Sequence, residues 1–402
     1  MAGSLRSFAI ILVYEMMIFG LLVGCSTRWT LPSENIPIEE GTRHSEEIKM
    51  SVDELVLSFY EENKVVGVGV ALVGGGEILY TAGYGWADLS QEAALKSETP
   101  MLLASVSKVF IATVAMQQVE KNQLDLNAPV SELVGFPVQS PYTDGTIALR
   151  HCLTHTSGIQ DSIRYADSYE EGDPTISLHD FQRGYLIEDA AFWHPSNYAR
   201  VEVGEKYSYS NVGSALAGLA IASSIDIEFA ELLTDDVLVP LGMMNSSYYL
   251  SELEELVATP YRSALGGFIA YPQYGFPTYP DGSLRSSPDD MGNFVLTILS
   301  GGEHDGVRIL EEEGVNAMFV EDSSVPEAGQ GLIWYSDNLD DRDVWGHNGG
   351  DDGAMTDLKL DRNADVGVVI LLNVTGNEKV SNNLSRLESE LLDVAEEYVV
   401  GF

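Results

Sequence analysis

Ser105-Val106-Ser107-Lys108 places a hydroxyl and an amine three residues apart at the start of an apolar helical pattern. Residues i and i+3 share one face of a helix, so the Lys108 amine can meet the Ser105 hydroxyl. A serine becomes a useful nucleophile when a neighbour takes its proton, and a lysine can do so if burial or nearby positive charge depresses its pKa. The helix start adds partial positive charge and free N–H groups beside the reacting centre. Taken alone, the pattern is equally an exposed pair on an ordinary helix.

Two other groups complement this pair. Tyr209-Ser210-Asn211 heads the apolar segment 212–222. A tyrosine beside a cationic lysine can have its pKa lowered and act as acid or base. Asn211 carries an amide that can donate to a substrate carbonyl or hold Lys108 in place. Gly346-His347-Asn348-Gly349-Gly350 lies between two strand patterns, around Trp334 and Met355. Its glycines allow a ligand close approach to strand backbone, and His347 can assist proton transfer or bind substrate. Each group by itself reads as readily as structure: a helix start for the first, a turn histidine for the second.

The elements that must position these residues follow from periodicity. Ser51-Val52-Asp53-Glu54 has the form of a capping box, with Val52, Leu55, Val56 and Phe59 following at helical spacing. The β-branched run 65–73, the turn Gly74-Gly75-Gly76 and the run 78–84 predict a β-hairpin. A long helix is expected over 101–124. The middle alternates short helices with irregular stretches, one helix introduced by 203–207 and another by Pro288-Asp289-Asp290. Strands return at 331–335, 354–360 and 366–374, and a final helix is expected over 379–399. This order predicts an α/β (α+β) architecture, in which a sheet made by both ends of the chain encloses an inserted, mainly helical domain.

Sixty-two acidic residues against 21 basic ones leave the 402-residue chain with a net charge of −41. Such a surface repels nucleic acid and anionic membrane, which argues against a polyanion partner. It fits a halophilic setting, where salt screens self-repulsion. At the amino terminus Arg6 precedes an apolar run ending in Leu22-Val23-Gly24-Cys25, which is similar to a bacterial lipobox. The expected organisation is a signal peptide at 1–24, a lipid anchor on Cys25 and a flexible tether at 25–44. A folded domain would follow at 45–402, with its α/β part at about 45–100 and 301–402 and its helical part at about 101–300. The location implied is the periplasm or cell surface, with Ser26 after Cys25 leaning toward an outer membrane. Cys152, in an apolar segment, is expected in the core.

Together, Ser105-x-x-Lys108, Tyr209-x-Asn211 and His347-Asn348-Gly349 resemble the three motifs of the serine β-lactamase and penicillin-binding-protein family, in the family's order. Leu153-Thr154-His155-Thr156-Ser157-Gly158-Ile159, 124–130 and 282–287 are similar to other recurring segments of that family, so the resemblance spans about 50–375. It implies a β-lactamase/transpeptidase-like fold, an antiparallel sheet flanked by helices, and hydrolysis through an acyl-enzyme on Ser105. Lys108 and Tyr209 would share proton transfer, and Asn211, His347, Asn348, Gly349 and Gly350 would bind substrate. The N–H groups of Ser105 and Gly350 would form the oxyanion hole. No metal or other cofactor is implied. The third motif departs from the Lys-Thr-Gly of members that destroy β-lactams: a neutral His347 followed by Asp351 and Asp352 is a poor carboxylate site. No extra glutamate of the class A kind is assignable. The implied substrates are therefore esters or D-amino-acid peptides, as for a carboxypeptidase. β-Lactam hydrolysis is the alternative, and a non-catalytic cell-wall-fragment binder or scaffold a second. The aromatic stretch 261–279 is expected to wall an acyl pocket or pack on itself, and 164–200 to form a lid.

Overall fold

The computed structural model describes residues 27–32, 36–253 and 257–401; the expected signal segment 1–24 and Cys25 lie outside them. Both ends of the chain build the main sheet. The amino-terminal part supplies β1 (Ile38–Arg43), β2 (Gly67–Gly74) and β3 (Glu77–Asp88), and the carboxy-terminal part β4 (Tyr335–Leu339), β5 (Arg342–Asp351), β6 (Ala354–Asp361) and β7 (Val366–Leu372). They are antiparallel in the order β1-β3-β2-β7-β6-β5-β4, and the short strand Ala93–Ala94 pairs with β3. The six longest helices are α1 (Glu46–Asn63), α2 (Lys108–Glu120), α3 (Leu178–Leu186), α4 (Asn211–Ile225), α5 (Pro288–Leu299) and α6 (Glu378–Val400).

Strand alternation divides the core. Val68, Val70 and Leu72 of β2 and Val368, Ile370 and Leu372 of β7 pack with Val52 and Val56 of α1 and Leu387 and Leu391 of α6. Ala71, Val73, Val369 and Leu371 point the other way, toward Met291, Phe294 and Val295 of α5 and the helical middle of the chain. Helices cover both faces, which is why β2 and β7 read as unbroken apolar runs. The expected hairpin is present, its turn made by Gly75 and Gly76 with φ of 59° and 78°, the left-handed pair that a tight hairpin requires.

Several boundaries differ from expectation. The first helix starts at Glu46 with Ser45 as its cap, so Ser51 lies inside it and the capping-box reading fails. Residues 38–43, expected in the tether, form β1 and pair with β3. The helix introduced by 203–207 begins only at Asn211. The strand expected at 331–335 begins at Tyr335, because Ile333 adopts φ of 65°. Most relevant to function, the long helix expected from 101 starts at Lys108. Met101–Leu102 instead pairs with Arg285–Ser286, and 104–107 is a 3₁₀ turn.

Candidate active site

The strand at 101–102 delivers the chain into the turn that carries Ser105. Ala104, just before it, has φ of 47°, a strained conformation for a residue with a Cβ and one that clusters at functional sites. In a 3₁₀ turn, side chains at i and i+3 eclipse, and Lys108 Nζ stands 2.9 Å from Ser105 Oγ. This pairing was expected from spacing; the tighter turn, rather than an α-helix, produces it. Lys108 is wholly buried and its Nζ also donates to the carbonyl oxygen of Asp281 at 2.5 Å.

Tyr209 arrives from the chain entering α4. Ser210 caps that helix, its Oγ accepting from Gly213 N at 2.9 Å. Asp161 reinforces the cap by accepting from Asn211 N at 2.9 Å, Val212 N at 3.0 Å and Ser210 Oγ at 3.0 Å. With the helix start so fixed, the Tyr209 hydroxyl faces Ser105 without a regular hydrogen bond to it, and its ring centroid lies 5.1 Å from Lys108 Nζ. Burial holds the Tyr209 phenol well above its usual pKa, and the proximity of Ser105 only partly offsets this. The lowering expected from a neighbouring lysine is thus overcome by desolvation, so Tyr209 rests as a phenol. Asn211 is the first residue of α4 and is half-buried.

The third group lies on β5. Pairing with β4 ends at Tyr335↔Gly346, while pairing with β6 continues to Asp351↔Ala354, so β4 leaves 347–351 unpaired on its side. Alternation puts His347, Gly349 and Asp351 on the face toward Ser105, and Asn348 and Gly350 on the other. Gly349 has a steric reason to be glycine: a Cβ there would sit 2.7 Å from Leu103 O and 2.9 Å from Ser105 N. The strand therefore runs flush against the turn that carries Ser105, with Gly350 as the next residue. Thr356, opposite Gly349, ties the same turn by donating to Leu103 O at 2.7 Å. His347 is buried and its Nδ1 lies 2.6 Å from Asn348 O. A nitrogen facing a carbonyl must carry the proton, which leaves Nε2 as the acceptor. Burial first, then the Lys108 charge, push His347 down to about 3, so it is neutral at pH 7.

Sequence reasoning assigned no role to three residues that the fold brings here. His155 stacks on Tyr209 with ring centroids 4.4 Å apart and its Nδ1 accepts from Ser210 N at 3.2 Å; its only signal was membership of the Leu-Thr-His-Thr-Ser-Gly segment. Asp161 and Asp281 gave no local signal. The aromatic stretch 261–279 divides. Tyr261 and Phe268 belong to the α1/α6 core, whereas Tyr274 and Phe276 pack with Tyr169, whose hydroxyl donates to Asp351 Oδ2 at 3.3 Å. Of the expected lid at 164–200, Tyr165 and Tyr169 approach the site, but Phe192 folds back onto Phe181 of α3. Cys152 is buried, as expected. Among the described residues no group of three His, Cys, Asp or Glu is placed to hold a metal ion.

The chain belongs to the beta-lactamase family, whose model matches residues 52–392. It is 21% identical over 362 residues to Protein flp of Staphylococcus aureus (strain MW2), covering 87% of this chain and 68% of that protein. The octameric penicillin-binding protein homologue from Pyrococcus abyssi superposes with a TM-score of 0.68 at 24% identity, over 87% of this chain and 78% of that one. A class C beta-lactamase does so with a TM-score of 0.69 at 18% identity, over 88% and 98%. These likenesses show the β-lactamase/transpeptidase fold: an antiparallel sheet, helices on its faces and a helical insertion.

Proposed function

We propose that this protein is a serine hydrolase that forms an acyl-enzyme on Ser105 and acts on esters or D-amino-acid peptides. The observation that carries this reading is Lys108 Nζ at 2.9 Å from Ser105 Oγ, with the buried Tyr209 hydroxyl facing the same side chain. Ser105 Oγ attacks the substrate carbonyl while Lys108 takes its proton. The Tyr209 phenol passes a proton to the leaving group and is replenished from Lys108. The N–H groups of Ser105 and Gly350 receive the oxyanion, where one such donor is typically worth about 3 kcal/mol. Asn211 orients the substrate carbonyl, and the His347–Gly350 edge binds the substrate backbone. Water then repeats the sequence on the acyl-enzyme. An exported, lipid-anchored form attached through Cys25 belongs to the same reading.

β-Lactam hydrolysis is the competing reading. It is disfavoured because the third motif offers no cation for a substrate carboxylate: His347 is neutral with its Nε2 an acceptor, and Asp351 follows on the same face. The test compares turnover of a short-chain nitrophenyl ester with that of a chromogenic cephalosporin, using Ser105→Ala as the blank. Serine-dependent ester turnover with little cephalosporin turnover is expected. Fast cephalosporin turnover would overturn the substrate assignment, and silence on both, with no serine adduct, would favour a binding role.

A further inference from the structure

The mechanism leaves unused a buried carboxyl whose own backbone holds Lys108. Asp281 is 1% exposed and sits in the Tyr279–Asp281 turn, which rests on α4 where Gly218 admits Pro280: a Cβ at 218 would stand 3.0 Å from the proline ring. The backbone of this turn holds Lys108 through the 2.5 Å bond from Nζ to Asp281 O. The side chain of Asp281 is poorly satisfied by comparison. Its Oδ1 accepts from Tyr165 OH at 3.2 Å. Its Oδ2 has no regular hydrogen-bond partner, and neither has the Thr278 hydroxyl beside the carboxyl.

Asp161 shows how this chain treats a carboxylate that it needs for structure: three donors at 2.9 to 3.0 Å close its shell. Asp281 lacks such a shell, so what favours its charged form is chiefly the Lys108 ammonium. The titratable groups that face it from the surrounding elements are Lys108 of α2, Asp161, Tyr165, Tyr209 and Tyr248. Lys108 is the single cation in that set. Burial lifts Asp281 to about 7, against the pull of Lys108.

We propose that Asp281 is a positioning residue that completes the proton relay behind Ser105: its carbonyl oxygen fixes the Lys108 amine, and its buried carboxylate stabilises the ammonium formed when Lys108 takes the serine proton. The proton moves from Ser105 Oγ to Lys108 Nζ as the Oγ–acyl bond forms, and Asp281 itself neither gains nor loses one in that step. This is the part a carboxylate plays toward histidine in a Ser-His-Asp triad. The inference rests on the reading of Ser105 and Lys108 as nucleophile and base.

The test measures the rate of Ser105 labelling by a fluorophosphonate probe from pH 5 to 10 in the full chain and in Asp281→Asn, with thermal melts alongside. Loss of the carboxylate lowers the basicity of Lys108. The plateau at high pH is therefore expected to fall about tenfold or more, and the rising limb to move about one unit toward lower pH. A lowered plateau with an unmoved limb would mean that Asp281 only shapes the turn, and would overturn the proposal. Should Asp281→Asn not melt cooperatively, Tyr165→Phe removes only the donor to Oδ1. It weakens the charged form of Asp281, so the limb moves the same way by less, and no movement again overturns the proposal. A titration of ¹⁵N-lysine-labelled protein by NMR reads Lys108 Nζ without turnover. A midpoint unchanged in Asp281→Asn defeats the relay even where Ser105 labels normally. A wild type that never labels at Ser105 defeats the functional reading and leaves the NMR result to judge the Asp281–Lys108 pairing.

Discussion

On the α1/α6 face of the sheet, the Asp53 carboxylate accepts from Lys49 Nζ at 2.6 Å, Tyr80 OH at 3.0 Å and Tyr84 OH at 2.7 Å. On the opposite face, Asp281 Oδ2, Tyr209 OH and His155 Nε2 are buried without a regular partner of their own. A buried polar group left short costs on the order of 1–3 kcal/mol, so the second face gives up stability that the first retains. These three groups surround Ser105 and Lys108, where unspent hydrogen-bonding capacity can be used by a substrate or a moving proton. The α1/α6 face carries a cluster of its own that departs from this pattern. Glu388 of α6 is buried against Asp357 and Lys359 of β6, with neither carboxylate oxygen regularly bonded. Burial and the Asp357 charge hold its carboxyl well above the usual range.

The strongest way to break the contrast is to press on the site where it is packed most tightly. Gly349→Ala sets a Cβ 2.7 Å from Leu103 O and 2.9 Å from Ser105 N, so the strand and the Ser105 turn must separate. Activity is expected to fall by about 10²-fold or more, with a stability loss of about 1–3 kcal/mol in a urea melt; unchanged activity would mean that the strand does not position the turn. A second prediction separates the faces by pH. His347 is depressed to about 3 in the folded chain, so the stability it contributes is present above pH 6.5 and is lost as pH falls from 6.5 toward 3. Wild type should lose about 1.4 kcal/mol per pH unit in that window relative to His347→Gln; parallel acid limbs would show that His347 is not buried neutral. The smallest effect is expected at the Glu388 cluster. The folded pKa of Glu388 is raised, so its contribution is present at low pH and is lost as pH rises above about 4.3, its unfolded value. Glu388→Gln should therefore be neutral near pH 4 and more stable than wild type by about 1–2 kcal/mol at pH 8; a destabilised variant at pH 8 would show a functioning charged pair.

Ser105, Lys108, Tyr209 and the glycines of β5 were legible because their chemistry depends on residue type and short spacing. The hairpin and α5 were legible for a similar reason: Gly75, Gly76 and Pro288 state local backbone rules. The start of the helix that follows Ser105 was not. Leu102 and Leu103 continue an apolar periodicity, but Leu102 pairs with Arg285, a tertiary contact that overrides the pattern. Asp281 lies 173 residues from Lys108 in sequence, and nothing near it announces burial beside an amine. His347 was read as neutral from its type alone; the depth of its shift comes from burial and from Lys108 on another element.

The central claim, that Ser105 is the nucleophile and Lys108 its base, is tested most directly by intact-protein and peptide mass spectrometry after exposure to a fluorophosphonate at pH 8. The account predicts one adduct per chain, on the peptide carrying Ser105, absent in Ser105→Ala and slowed by about 10²–10⁴-fold in Lys108→Ala. No adduct, an adduct on another serine, or a Lys108→Ala rate equal to wild type would contradict it.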